Sequence, residues 1–194
     1  MRCLYCYNPE IVLGKGTIGF EAVLPFLDKR KGLLDAVVFS GGECTLHKSI
    51  YDHIVRVKAM GFLVKVDTNG SKPELLQRLI DEKALDYVAL DYKALPSKFE
   101  YITQSNLYAS FKQSLEILLA NSVPFEVRTT YHSALLDEED IKKMIRFLEM
   151  HHYVGNYYIQ HFRNDTETLG NLSYSKKNIL EKNISTATII VVFR

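Results

Sequence analysis

The sequence predicts an α/β protein whose core is a mostly parallel sheet covered by helices. Three observations carry that prediction. Short apolar runs of strand length alternate with segments whose apolar residues recur at helical spacing. Five helix-then-strand units follow one another, at a separation that suits right-handed crossovers between parallel strands. The 194 residues, 47% of them hydrophobic, are enough for one sizeable core, and no linker or low-complexity stretch divides them. A single domain over residues 1–194 is expected.

The elements follow in order. Phe20 to Arg30 places Phe20, Val23, Leu24 and Leu27 on one helical face, and Ala36-Val37-Val38-Phe39 is a continuous apolar run that reads as a strand. Ile50 to Met60 is the next helix and Phe62 to Val66 the next strand. Pro73 to Glu82 follows, with Pro73 suited to a first helical turn because its missing N–H would have no partner there. Tyr87 to Leu90 is the third strand. Tyr108 to Ala120 leads to Phe125-Glu126-Val127-Arg128, and Glu138 to His151 leads to Asn156 to Gln160. The apolar tail Ala187 to Phe193 reads as a final strand, being far shorter than the roughly 20 residues a membrane helix needs. Leu95 to Asn106 and the polar stretch Asp165 to Ile184 are expected to be surface loops or partner-facing segments.

Charge and cysteine content exclude several functions. Twenty-four basic residues against 23 acidic ones leave no polyanion-attracting surplus, so neither nucleic acid nor a membrane surface is expected as a partner. Three cysteines, an odd number, with no charged-then-apolar leader after Met1, point to a reducing compartment, the cytoplasm. No Gly-x-Ser-x-Gly or His-Glu-x-x-His constellation suggests a hydrolase.

Cys3-Leu4-Tyr5-Cys6 brings two soft thiols into one turn, which suits zinc, an iron–sulfur cluster or thiol–disulfide exchange. Zinc usually takes a second pair, and only Cys44 remains, although six histidines are available. An exchange thiol needs a helix N-terminus to lower its pKa, and Pro9 argues against a helix continuing from Cys6.

In parallel α/β sheets and barrels, ligands sit beyond the carboxyl ends of the strands. Ser40-Gly41-Gly42-Glu43-Cys44 follows the first strand, Asp67-Thr68-Asn69-Gly70 the second and Asp91-Tyr92-Lys93 the third. Arg128-Thr129-Thr130 and Gln160-His161-Phe162-Arg163-Asn164 end the next two. Each alone has a plain reading as a turn, a helix approach or a surface ion pair. Five in succession on one rim point to a binding site, since stability alone gives no reason to gather polar groups there.

Together and in this order, Cys3-x-x-Cys6, Gly41-Gly42-Glu43, Asp67-Thr68-Asn69-Gly70 and Asp91-x-Lys93 resemble the radical S-adenosylmethionine enzymes. Among these the chain is similar to the activating enzymes of glycyl radical enzymes, nearest those that serve anaerobic ribonucleoside-triphosphate reductase. The resemblance implies a partial (β/α)6 TIM-like barrel that here lacks its first strand. It implies a [4Fe–4S] cluster held by a Cys-x3-Cys-x-φ-Cys motif, in which Cys3 and Cys6 match the second and third cysteines and Tyr5 the aromatic position. The first cysteine falls ahead of Met1, so the chain is expected to be N-terminally incomplete, with Met1 an internal methionine of a longer protein.

The same resemblance assigns the cofactor S-adenosylmethionine to the strand ends. Gly41 and Gly42 would let backbone approach its methionine portion, and Glu43 would accept from its ammonium. Asp67, Thr68 and Asp91 would hold a monovalent cation, with Asn69 and Gly70 shaping the turn beside the ribose. Lys93 and Arg128 would meet the cofactor carboxylate or a substrate loop, and His161 the adenosyl portion. Cys44 stands where the wider family has proline and is expected to be a small packed residue.

The implied reaction is one-electron reduction, from a donor such as flavodoxin or ferredoxin. It is followed by cleavage of S-adenosylmethionine to a 5′-deoxyadenosyl radical that takes a hydrogen atom from a glycine of the partner. With two cluster cysteines, the chain as given is expected to form a labile or substoichiometric cluster and to cleave little. Two alternatives stand beside this: an inactive protein of the same fold that binds S-adenosylmethionine or a partner, and a Cys-x-x-Cys thiol–disulfide oxidoreductase.

Overall fold

All six apolar runs form strands, and they pair in sequence order in one open, all-parallel sheet. The computed structural model describes residues 1–14, 16–176 and 184–194. The strands are β1 (Ala36–Phe39), β2 (Leu63–Thr68), β3 (Tyr87–Asp91), β4 (Phe125–Tyr131), β5 (Gly155–His161) and β6 (Ile189–Phe193). The helices are α1 (Pro9–Leu13), α2 (Phe20–Asp28), α3 (Ile50–Ala59), α4 (Pro73–Asp81), α5 (Pro96–Thr103), α6 (Tyr108–Ala120) and α7 (Glu138–Met150). No helix among the described residues is long and apolar enough to cross a membrane.

Alternation along the strands decides what each face carries. Val64, Val66, Val88, Leu90, Val127, Tyr157 and Ile159 point to the helix-covered side and are fully buried there. Each buried aliphatic side chain contributes about 1.5–3 kcal/mol, so this layer is the main source of stability. The residues between them, Lys65, Asp67, Asp91, Glu126, Arg128 and Gln160, share the other face. That face is laced by ion pairs, Lys65 lying 3.6 Å from Asp67 on its own strand and 3.6 Å from Glu126 on β4.

The helix starts follow their local chemistry. Pro73 opens α4, as expected, and Asp137 caps α7 through a reciprocal pair with Asp140, each carboxylate accepting the other's N–H at 2.9 Å. Lys98 holds the same Asp140 at 2.5 Å, tying α5 to α7.

Two expectations are corrected. Leu95 to Asn106 is mostly helix, since α5 spans Pro96–Thr103 and buries Phe99, Ile102 and Thr103 on one face before Gln104 ends it in a left-handed turn at φ 52°. The polar stretch after residue 164 is irregular as expected, but Thr168 and Ser175 are buried rather than surface-facing. Residues 177–183 of that stretch lie outside the described residues.

Candidate functional site

The Cys3-to-Cys6 turn is held between two distant parts of the chain. On one side the Arg2 and Leu4 N–H groups donate to the Thr103 and Ile102 carbonyls at the end of α5, at 3.0 and 2.9 Å. On the other, Gly170 N–H donates to the Leu4 carbonyl at 2.9 Å and Leu169 N–H to the Cys6 carbonyl at 3.1 Å. Within the turn, Cys6 N–H donates to the Cys3 carbonyl at 2.9 Å. The result is a fixed loop over the carboxyl ends of the strands.

A cavity of about 380 Å³ lies beneath that loop, within the usual size range of small-molecule sites. Cys3, Tyr5 and Cys6 form its roof, and Ser40, Gly41 and Gly42 after β1 form one wall. Asp67, Asn69, Asp91, Lys93, Arg128, Thr130 and Gln160 contribute from the ends of β2 through β5. Gly41 has φ +133°, a backbone geometry that side chains other than hydrogen rarely adopt, and this turns the loop toward the cavity.

Four charged groups line one side of the cavity in an alternating chain. Arg128 bridges two strands, its Nη1 donating to Asp67 Oδ2 at 3.2 Å and its Nε to Asp91 Oδ1 at 2.8 Å. Lys93 Nζ donates to the remaining Asp91 oxygen at 2.9 Å. Burial pushes the Asp91 carboxyl up, but the Lys93 and Arg128 charges outweigh it and hold the group below the usual range. For Lys93 burial pulls down while Asp91, Tyr5 and Cys3 push up, and the ammonium ends well above its ordinary value. Both groups therefore stay charged at neutral pH, leaving a site rich in fixed charge of both signs.

The thiols differ in setting. Cys3 is buried, and burial raises its pKa against the lowering influence of Lys93. Tyr5 is buried beside it, with Lys93 Nζ 5.7 Å from the ring centroid and a hydroxyl that has no hydrogen-bond partner among the described residues. Cys44 lies outside the cavity: its Sγ contacts the Asp67 carbonyl at 3.5 Å, and burial followed by the Glu43 and Asp67 charges pushes its thiol up to about 12. It is a packed residue, as the sequence suggests, and supplies no third thiol to Cys3 and Cys6.

Three expected site residues do not reach the cavity. Glu43 turns back toward β2, where Oε1 accepts from the hydroxyls of Thr45 at 2.6 Å and Thr68 at 2.8 Å, and from Thr45 N–H at 3.2 Å. Its Oε2 accepts from Asn69 N–H at 2.7 Å. The carboxylate is thus the knot between the loops after β1 and β2, and Thr68, 3% exposed, is spent on the same knot. His161 falls on the helix-facing side with Tyr157 and Ile159, its ring stacked on Phe193 at 5.8 Å and edge-on to Tyr131. Gln160 lines the cavity in its place, and Thr130, its partner in register across β4 and β5, lines it too. Strand alternation was the available signal: Thr130 shares a face with Arg128, and adjacent residues such as Gln160 and His161 face opposite ways.

The donor sets can be tested against the implied groups. Cys3 and Cys6 match two of the three thiolates that the family's cluster takes, and among the described residues no group of three or more His, Cys, Asp or Glu is placed to hold a metal ion. A monovalent cation fits the site poorly, because Arg128 and Lys93 already occupy both Asp91 oxygens and one of Asp67. Only Asp67 Oδ1 is left without a hydrogen-bond partner, with Lys65 Nζ at 3.6 Å.

Comparison with known proteins places the chain in a wider group. The family model described as the Radical SAM superfamily matches residues 1–150. A Methanocaldococcus jannaschii protein that carries the provisional name of a glycyl-radical enzyme activating enzyme is 35% identical over 153 residues, 75% of this chain and 63% of its own length. A Pyrococcus furiosus protein named as a modifier of the tungsten-containing aldehyde ferredoxin oxidoreductase cofactor is 28% identical over 56% of this chain and 32% of its own. The chain thus spans under two thirds of these relatives.

Among solved structures, anSMEcpe with bound AdoMet and a Kp18Cys peptide superposes with a TM-score of 0.69 at 14% identity, over 91% of this chain and 52% of that one. A domain of a pyruvate-formate lyase-activating enzyme from Bacteroides vulgatus gives 0.55 at 18% identity, over 69% of this chain and 84% of that one. At these identities the structures establish a shared fold.

Proposed function

The chain belongs to the radical SAM superfamily, and from that premise we propose that it is the S-adenosylmethionine-binding domain of a glycyl radical enzyme activase. The observation that carries the reading is the cavity itself, which joins Cys3 and Cys6 to Gly41, Gly42, Asp67, Asp91, Lys93 and Arg128. The M. jannaschii relative supports the activase type. The finer assignment is that the partner is anaerobic ribonucleoside-triphosphate reductase and the electron donor a flavodoxin or ferredoxin, with the cytoplasm as the place of action.

When bound, a [4Fe–4S] cluster and S-adenosylmethionine supply reductive cleavage to a 5′-deoxyadenosyl radical able to take a hydrogen atom from a glycine Cα. The residues of the chain bind, orient and enclose. Cys3 and Cys6 would hold two irons from the roof. Gly41 and Gly42 would bring bare backbone to the amino-acid end of the cofactor, whose ammonium and carboxylate match the paired signs of Asp67, Asp91, Lys93 and Arg128. Glu43 acts one layer behind, fixing the loop of the two glycines to β2. Thr130 and Gln160 offer neutral hydrogen-bonding groups on the β4–β5 side. A monovalent cation has no part in this reading.

One observation favours a second reading, in which the polypeptide binds S-adenosylmethionine without turning it over. Only two thiols face the cavity, and Cys44 is directed elsewhere. Thiol–disulfide exchange fits less well, because burial raises the Cys3 thiol and α1 begins at Pro9, beyond the pair.

Anaerobic reconstitution with iron and sulfide, then metal analysis, S-adenosylmethionine binding and assay of 5′-deoxyadenosine, separates these readings. S-adenosylmethionine binding with a substoichiometric cluster and little cleavage is expected. A chain extended to place a cysteine four residues before Cys3 should gain both cluster and cleavage. Failure of either form to bind S-adenosylmethionine overturns the proposal.

A further inference from the structure

The segment after β5 bears directly on the thiol loop. Gly170 lies so close to Leu4 that a β-carbon there would stand 2.8 Å from Leu4 Cβ, 2.9 Å from its carbonyl oxygen and 3.0 Å from its Cα. None of these atoms can swing aside by a rotamer change, because each belongs to the backbone or is fixed to it. The approach serves a purpose: Gly170 N–H donates to that Leu4 carbonyl, and Leu169 N–H donates to the Cys6 carbonyl.

The segment is itself anchored. The Thr168 hydroxyl accepts from Leu172 N–H at 2.9 Å, and the Thr168 carbonyl from Asn171 N–H at 3.1 Å. Further on, His132 Nε2 bonds the Ser173 carbonyl at 3.0 Å and Ser133 N–H donates to Ser175 Oγ at 3.0 Å, tying the segment to the loop between β4 and α7. The opposite edge of the thiol loop rests on the end of α5. The loop is therefore gripped between two anchored surfaces, and one of them closes only if residue 170 has no side chain.

We propose that Gly170 is a positioning residue for the Cys3–Cys6 pair: by admitting the 168–170 segment to hydrogen-bonding distance of Leu4 and Cys6, it sets the separation and direction of the two thiols. The metal-holding consequence rests on the function proposed above; the grip itself does not. Gly170→Ala should force the two backbones apart by several tenths of an ångström and loosen one edge of the loop. Thr168→Val weakens the same segment from a second position, by removing the acceptor for Leu172 N–H. Gly19→Ala is the control, since a β-carbon there meets nothing within 4 Å.

Two measurements test this on the metal-free chain. Hydrogen exchange of the peptide spanning residues 2–6 should be about tenfold faster in Gly170→Ala, the loss expected for one backbone hydrogen bond holding a loop, with sheet peptides unchanged. Thr168→Val should move it in the same direction by less, and Gly19→Ala not at all. Titration with Co²⁺ alone, read by the thiolate charge-transfer band and compared with Cys3→Ser, should give a two-thiol complex in the wild type that is several-fold weaker in Gly170→Ala.

Unchanged exchange at residues 2–6 in a folded Gly170→Ala overturns the grip. Faster exchange with unaltered Co²⁺ affinity overturns the positioning role. Should the wild type show no Co²⁺ band, the positioning of metal-holding thiols is overturned, while S-adenosylmethionine binding still decides the function proposed and the exchange result still decides the grip. If Gly170→Ala does not fold, Thr168→Val decides in the same way.

Discussion

Arg128→Met is the most informative single perturbation, because Arg128 joins β2, β3 and the cavity at one atom group. Its guanidinium makes charge-assisted bonds of 3.2 and 2.8 Å to Asp67 and Asp91, and the three side chains are only 14%, 16% and 22% exposed. Methionine nearly preserves the stem but leaves both carboxylates short of a partner, with Lys93 still on Asp91 and Lys65 at 3.6 Å from Asp67. Removing one member of a buried pair costs about 3–5 kcal/mol, and the remaining lysines and the open cavity put this case near the lower figure. A loss of about 3 kcal/mol lowers Tm by roughly 6–12 °C for a chain of this size.

The pH dependence supplies the sharper test. Asp91 has its folded pKa below the unfolded value, so it contributes stability that is present above the unfolded pKa and is lost as pH falls through the folded one. Arg128 is one of the two cations responsible, so the variant loses part of that contribution. The gap between wild type and variant should be widest at neutral pH and narrow as the solution is taken below about pH 4, the ordinary aspartate range. Urea unfolding followed by far-UV circular dichroism, needed because the chain has no tryptophan, measures both. A gap under about 1 kcal/mol at pH 7, the range of an exposed pair, would refute the reasoning, as would a gap that widens in acid.

Three further outcomes follow from particular contacts. Glu43→Gln keeps the shape but turns an amide donor toward one of its present donors, so it should cost about 2 kcal/mol in urea unfolding and weaken S-adenosylmethionine binding, though the residue does not line the cavity. Unaltered binding and stability would show that the knot between the two loops is dispensable. Cys44→Ala should leave iron uptake after reconstitution unchanged, since Cys44 faces the Asp67 carbonyl; a drop in iron content would make it a ligand after all. His161→Phe should leave the S-adenosylmethionine Kd within about twofold of wild type, as its ring packs on Phe193 and Tyr131. A larger loss in binding, with stability intact, would bring His161 back into the site.

The strands and the major helices were legible because their information is local. Val88-Ala89-Leu90 can be buried only as a strand of a covered parallel sheet, and parallel pairing puts every polar strand end on one rim, whereas the sequential order β1 to β6 belongs to the tertiary structure. The motifs Gly41-Gly42, Asp67 and Asp91-x-Lys93 stand at those ends, and one cavity gathers them. The helix α5 was hidden by its shortness and by the prolines and polar residues around it, since its buried face needs only Phe99, Ile102 and Thr103.

The direction of each side chain at the rim was a different matter. Period-two alternation separates Gln160 from His161 and Thr130 from Thr129, so which neighbour faces the rim is written in the strand itself. No pattern in the chain, however, shows that Glu43 is spent on Thr45, Thr68 and Asn69, or that Arg128 spans two aspartates from different strands. Still less does it show that Gly170 lies against Leu4, 166 positions away in a stretch that reads as a solvent-facing loop. Local composition determines which segments become elements and which residue types reach the rim. Which donors and acceptors satisfy one another is decided by long-range closure of the chain, because a hydrogen bond between distant residues leaves no mark on the sequence beside either one.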